Sequence, residues 1–150
     1  MKQSYREYIK LNKNLFLAIV AAITISAIAA QLLADQEDYL NSTYTLLADL
    51  VVFYSIFGTL FYVDNRKKYR TDLGKVDSSR LKKDLIKIVT SVGAGEIVYM
   101  AMRWYLQYYL LTINYEPYAA SIITHLISAI IYLAIVNLGV RLTRLYKDDA

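Results

Sequence analysis

The stretch LFLAIVAAITISAIAAQLL, residues 15–33, decides the fold class of this chain. It contains no charged residue and no proline, and it is rich in Leu, Ile and Ala. An α-helix needs about 20 apolar residues to cross roughly 30 Å of hydrocarbon, so the segment predicts a transmembrane helix. Its basic flank and the small residues before Gln31 also resemble a secretory signal with a cleavage site. We expect a retained first helix.

Three further apolar segments of similar length cover residues 44–63, 86–111 and 118–140. The whole chain is 57% hydrophobic, with a mean hydropathy of +0.31 and a single proline. Long helices suit this composition, whereas a loop-rich all-β fold does not. The sequence therefore predicts an all-α protein, a four-helix transmembrane bundle that forms one integral membrane domain over residues 1–150 and crosses the plasma membrane several times.

The basic residues predict the orientation. Of 17 Lys and Arg residues, all but Arg103 precede the first segment, follow the fourth or lie around the central loop, residues 64–85. Because basic loops stay in the cytoplasm, both termini and this loop are predicted to be cytoplasmic. The loop could attract anionic lipid headgroups, at about 1 kcal/mol per basic residue. No nucleic-acid-binding motif accompanies the charge, so we expect no nucleic-acid partner. Within the loop, Asp77 or Ser78 is predicted to cap the start of the third helix.

Four ionisable residues interrupt the apolar segments: Asp49, Glu96, Arg103 and His125. Such residues usually face the bundle interior and indicate function. Glu96 and Arg103 lie in VGAGEIVYMAMRW, residues 92–104, where positions seven apart differ by only about 20° around a helix. We expect one cluster, with Arg103 between the two acids. Further polar side chains on the same faces are Thr45 of the second segment, Tyr99 and Gln107 of the third, and Ser121, Ser128 and Tyr132 of the fourth.

Two interpretations of this cluster stay open. It could be a structural network that fixes helix register or docks a partner subunit, or it could line a path for a solute or proton. An enzyme is not expected, since the sequence has no cysteine, no phosphate-binding loop and no nucleophile–base pattern. One histidine and two carboxylates without a spacing motif predict neither a metal site nor a cofactor. No catalytic residue is assigned.

Small residues predict where helices approach closely. Small residues spaced four apart on one helix let the backbones of two helices approach closely in a membrane, where lipid supplies no hydrophobic driving force between helices. Gly93, Ala94 and Gly95 are expected to serve the same purpose on the third helix. Asn41-Ser42-Thr43 matches the acceptor triplet for N-glycosylation, with Asn41 as the acceptor. The spaced small residues of the first helix are Ala18, Ala22, Ser26 and Ala30.

The chain shows a weak two-plus-two internal repeat, in which KNLFLAIV (residues 13–20) resembles KDLIKIV (83–89). The second and fourth segments end in FYVDNRKKY (61–69) and VNLGVRLTRLY (136–146), an apolar–Asn–Arg–basic–aromatic pattern in the first and a degraded form in the second. With four short spans, this layout resembles the GtrA-like family of small membrane proteins. The resemblance implies handling of polyprenyl-linked sugars. The layout is also similar to alanine-exporter-type proteins.

Together these features predict a small transport protein for a lipid-linked sugar or a small polar solute, which moves through the polar cluster. The alternative is a non-catalytic subunit of a larger membrane complex, such as an oxidase or oxygenase assembly. Four helices enclose little space, so a homo-oligomer or a hetero-oligomeric membrane complex is expected in either case.

Overall fold

The computed structural model describes residues 3–67 and 74–142. Within these ranges the chain forms four α-helices and no β-strand: α1 (Gln3–Leu32), α2 (Asp38–Asn65), α3 (Ser78–Thr112) and α4 (Pro117–Leu142). The all-α prediction is confirmed. Part of the predicted basic loop (residues 68–73) and most of the C-terminal basic segment (143–150) lie outside the described residues.

Every helix extends beyond the apolar segment that predicted it. The largest difference is in α1, which begins at Gln3 although the apolar segment begins at Leu15. Hydropathy detects only apolar surface, whereas backbone hydrogen bonding continues through good helix formers such as Lys and Leu. In the extension, Leu11 is buried in the core. The predicted start of α3 is confirmed, because the Asp77 side chain accepts a hydrogen bond from the Arg80 backbone N–H at 3.0 Å.

Short turns join consecutive helices at one end of the bundle, residues 33–37 and 113–116, which we call the turn end. There α3 closes with paired hydrogen bonds from Tyr115 N to Leu110 O (3.0 Å) and from Asn114 N to Leu111 O (2.9 Å). Asn114 has φ 63°, a left-handed conformation that asparagine tolerates better than most residues. The opposite end, where α1 begins and α4 finishes, is the termini end.

The helices form a ring, in which each packs against two neighbours: α1 with α2 and α4, and α3 with α2 and α4. The interior changes character along the bundle axis. Towards the termini end it is filled by Leu11, Leu15, Phe57, Phe61 and Val136. Towards the turn end the buried side chains are mostly polar, and Arg103, His125 and Gln107 are the largest side chains that are fully buried among the described residues.

The spaced small residues of α1 face the interior: Ala18, Ala22, Ser26 and Ala30 are all fully buried. Gly93 does not make the close approach predicted for it, since a Cβ added there would meet no described atom within 4 Å. The close approach is made about half a helical turn after Gly93, at Gly95. A Cβ at Gly95 would lie 3.0 Å from Ile135 Cγ2 of α4. Of the two glycines predicted to make the close approach on α3, Gly95 makes it and Gly93 does not.

Three stretches are long and apolar enough to cross a membrane: Tyr5–Leu32, Asp38–Asn65 and Pro117–Leu138. Within the described part of the chain α3 does not meet that criterion, and its middle carries Glu96 and Arg103.

Candidate functional site

The most buried charge in the described structure is Arg103 of α3, which is fully enclosed by the bundle. Its Nη1 donates to Thr124 Oγ1 of α4 at 2.7 Å and also to Gln107 Oε1. Its Nη2 donates to Ser121 Oγ at 2.9 Å and to Ser26 Oγ of α1 at 3.5 Å. One guanidinium therefore joins three helices through neutral acceptors. Ser121, which the sequence placed in the cluster, is one of them, and Ser26 contributes a hydroxyl as well as a small side chain.

The network continues to α2 through Gln107, whose Nε2 donates to Asn41 Oδ1 at 3.0 Å. Asn41 Nδ2 in turn donates to the carbonyl oxygens of Ala30 and Leu33 at the end of α1, both at 2.9 Å. Thr45 Oγ1 lies 3.3 Å from the same Asn41 oxygen. Asn41 is buried, and both polar atoms of its amide are occupied. The folded chain thus leaves no place for a glycan on Asn41, which corrects the acceptor role predicted from the triplet.

Asp49 of α2 forms the acidic side of the cluster and is fully buried. Its Oδ2 lies 3.7 Å from Arg103 Nε and accepts a hydrogen bond from the Tyr99 hydroxyl. Its Oδ1 lies 3.6 Å from His125 Nδ1, and the Tyr99 hydroxyl is 3.3 Å from His125 Nε2. A carboxylate, a phenol and an imidazole are therefore in contact within one buried group, beside a guanidinium.

Glu96 occupies a different position from the one expected. It is half-buried and lies within interaction range of the Tyr54 and Tyr132 hydroxyls. The described partners of Arg103 include Asp49 but not Glu96, so the prediction that Arg103 sits between the two acids is wrong for Glu96. The rise between positions 96 and 103 is roughly 10 Å, and hydroxyl and amide acceptors nearer the turn end hold the guanidinium.

A small cavity with room for about one water molecule lies at the centre of the bundle, beside Asp49 and Glu96. Tyr132 closes part of it and packs edge-on against Phe53, with ring centroids 6.0 Å apart. The cavity brings together five of the residues that the sequence singled out, with apolar side chains between them. Its full lining is Ile19, Asp49, Leu50, Phe53, Glu96, Tyr99, His125 and Tyr132.

Several polar atoms around the site make no hydrogen bond to the described residues. These include Asp49 Oδ1 and His125 Nδ1, which belong to cavity-lining residues. Arg103 Nε and Ser128 Oγ also make no hydrogen bond to the described residues, and Ser128 does not line the cavity. Among the described residues, no group of three or more His, Cys, Asp or Glu could hold a metal ion. The contacts instead suit proton exchange between a carboxyl, a phenol and an imidazole.

Sequence reasoning did not place two neutral members of the network, Asn41 and Thr124, in the polar cluster. Gln107 lies on the same α3 face as Tyr99 and Arg103, as helical periodicity predicts. Thr124 precedes His125 in the chain, but its hydrogen bond with Arg103 depends on how α4 packs against α3, which a sequence pattern does not show. The contribution of Asn41 to the network was not predicted, because α2 begins at Asp38, before the apolar segment that predicted the helix.

A scan against protein-family models finds no match for this chain, and searches of curated proteins and of solved structures find no significant match either.

Proposed function

We propose that this chain is a small integral membrane protein that transports a small polar solute through the polar cluster at the centre of its bundle. One observation carries the proposal: Asp49, Glu96, Tyr99, His125 and Tyr132 line a single interior cavity. Ionisable side chains inside a membrane bundle are costly to retain, and in transport proteins they lie along substrate and proton paths.

The surface of the bundle supports a membrane location for all four helices. Large apolar side chains are exposed on each of them: Phe16 at 60%, Val51 at 67%, Ile97 at 67% and Ile130 at 69%. In water such a surface would drive aggregation, whereas hydrocarbon suits it. α3 carries its charges on the inward face and Ile97 on the outward face. We propose it as the fourth span, with both termini in the cytoplasm of a cell whose plasma membrane holds the protein.

The size of the cavity favours a small solute over a lipid-linked sugar. It has room for about one water molecule, so any solute larger than an ion would require the helices to move apart, and a sugar headgroup would require the largest movement. The GtrA-like resemblance remains a prediction, and its sugar-handling role is the less favoured form of the transport proposal.

The alternative, a non-catalytic subunit of a membrane complex, was predicted because the charges within the apolar segments could need partners on another protein. Arg103 and Asp49 have partners on α1, α3 and α4 of the same chain. The network does not require a second protein to satisfy these two charges. Native mass spectrometry separates the proposals, because a stoichiometric partner of different sequence would favour the subunit.

The transport proposal is tested with purified protein in liposomes. Uptake of a panel of small amino acids, amines and sugars is measured under an imposed pH gradient, with a pH-sensitive dye trapped inside. We expect uptake of at least one solute class, reduced tenfold or more by Asp49→Asn and by Glu96→Gln. The matched control is Glu116→Gln, an exposed position in the turn before α4. Equal uptake by empty liposomes, or unchanged uptake in both cavity variants, would overturn the proposal.

A further inference from the structure

The charges around the cavity do not balance. Arg103 and Asp49 lie 3.7 Å apart and offset each other, whereas the hydrogen-bonding groups beside Glu96 are two neutral tyrosine hydroxyls and the charged group that shares its cavity is another carboxylate, Asp49. With His125 neutral, one positive charge on Arg103 and one negative charge on each of Asp49 and Glu96 leave a net charge of −1. An uncompensated carboxylate inside a low-dielectric bundle is costly, so the cavity needs one compensating positive charge.

The groups that face Glu96 come from every helix of the bundle except α1. Asp49 and Tyr54 face it from α2, Tyr99 and Arg103 share α3 with it, and His125 and Tyr132 face it from α4. α1 contributes the apolar Ile19 to the cavity. No Lys or Arg therefore lies among the described residues lining the cavity.

A second observation indicates that the cavity accepts a ligand. Asp49 and His125 are both at least nine-tenths buried and both line the cavity, yet Asp49 Oδ1 and His125 Nδ1 make no hydrogen bond to the described residues. Their own separation, 3.6 Å, is too long for a hydrogen bond. A polar atom with no partner in a dry interior costs about 1–3 kcal/mol, which a bound ligand would recover.

We propose that Glu96, with the Tyr54 and Tyr132 hydroxyls and Asp49 opposite, forms a binding site for one monovalent cation, a proton or an alkali-metal ion. The net charge sets the valence, since a divalent ion would leave the cavity positive. The small volume limits the ligand to a single ion. The site deepens the proposed transport function by naming the coupling ion, but its occupancy is measurable without transport.

The test uses dicyclohexylcarbodiimide, an apolar reagent that reaches half-buried carboxyls in membrane proteins. The protonated carboxyl adds its O–H across one C=N bond of the reagent, and the adduct rearranges to a stable N-acylurea with no leaving group. Wild-type protein in detergent is labelled across a range of mildly acidic to mildly alkaline pH. Parallel samples contain sodium, potassium or choline chloride at equal ionic strength, and peptide mass spectrometry locates the label.

We expect the label on Glu96. If the ion is a proton, labelling falls by up to about tenfold per pH unit once the carboxyl ionises, and the three salts give equal rates. If the ion is an alkali metal, sodium or potassium slows labelling severalfold relative to choline. Glu96→Gln should abolish this label and Glu96→Asp should retain one at the same position, while Glu116→Gln leaves it unchanged.

The proposal is overturned if Glu96 stays unlabelled under every condition, or if its labelling responds to neither pH nor cation. Neither result depends on a variant folding, because both are read from the wild-type chain. A labelled, ion-sensitive Glu96 in a protein that moves no solute would retain the binding site and reject the transport function.

Discussion

Replacing Arg103 by methionine should destabilise the protein more than any other single polar change in the interior. Methionine fills a similar volume but removes the guanidinium that joins α3 to α1 and α4. Four hydrogen bonds to neutral acceptors are lost, those to Gln107, Thr124, Ser121 and Ser26. Such bonds average roughly 0.6 kcal/mol each inside membrane proteins, so they account for about 2 kcal/mol.

The rest of the cost comes from Asp49, which loses its cation and keeps only the Tyr99 hydroxyl as a hydrogen-bond donor. Removing one partner of a buried ion pair typically costs about 3–5 kcal/mol in total, and we expect Arg103→Met to fall in that range. Asp49→Asn should cost less, because Arg103 would keep its four neutral acceptors. The double variant Asp49→Asn/Arg103→Met should be more stable than the sum of the single changes predicts, by about 1–3 kcal/mol.

Reversible unfolding in mixed detergent micelles measures this cycle. Trp104, the single tryptophan, reports on the contact between α2 and α3, since it stacks on Tyr108 with ring centroids 5.4 Å apart and donates to Thr43 Oγ1 at 3.0 Å. Arg80→Met, at an exposed position in the first turn of α3, is the matched control and should change stability by less than about 0.5 kcal/mol. Additive single costs in the double variant would refute the argument that Asp49 and Arg103 act as a pair.

Two further predictions concern packing. Gly93→Ala should stabilise the bundle by about 0.5–1 kcal/mol, because alanine has a higher helix propensity than glycine. Gly95→Ala should lose that gain, because its Cβ would lie 3.0 Å from Ile135. The same unfolding assay measures both variants, and equal effects would contradict the assignment of the close approach to Gly95. Ala22→Leu, at a fully buried position of α1, should lower the free energy of unfolding by about 1–3 kcal/mol through overpacking. Ala134→Leu, on the exposed face of α4, should lower it little. Similar unfolding midpoints for the two variants would show that the spaced small residues of α1 are not tightly packed.

Hydropathy and periodicity predicted the helical class, the four segments and the interior location of Asp49, Arg103 and His125. These features depend on one helix at a time, and a sequence carries that information directly. The helix ends were predicted less well, because polar residues such as Lys10 and Asn41 continue a helix without adding apolar surface. The cap at Asp77 succeeded because capping depends on residues adjacent in the chain.

The pairing of side chains across helices was predicted poorly for a physical reason. Glu96 and Arg103 share a face of α3, yet their partners differ because the axial offset of α2 and α4 decides which hydroxyls lie level with each. An offset of one turn, about 5.4 Å, is enough to exchange one partner for another. This offset depends on side-chain packing between helices, of which the close contact of Ile135 with Gly95 is one example, and a single sequence does not display it.

The two charged side chains of α3 therefore have different roles. Arg103 is fully buried, with acceptors on α1, α3 and α4, so moving it would break several hydrogen bonds at once. Glu96 is half-buried, faces a cavity and has two neutral tyrosine hydroxyls as its hydrogen-bonding neighbours, so a change in its charge perturbs few contacts. A binding site needs both kinds of group, a fixed frame and a residue whose charge can change. For that reason substitutions at Arg103 should appear first as lost stability, and substitutions at Glu96 as altered ion binding in a protein that still folds.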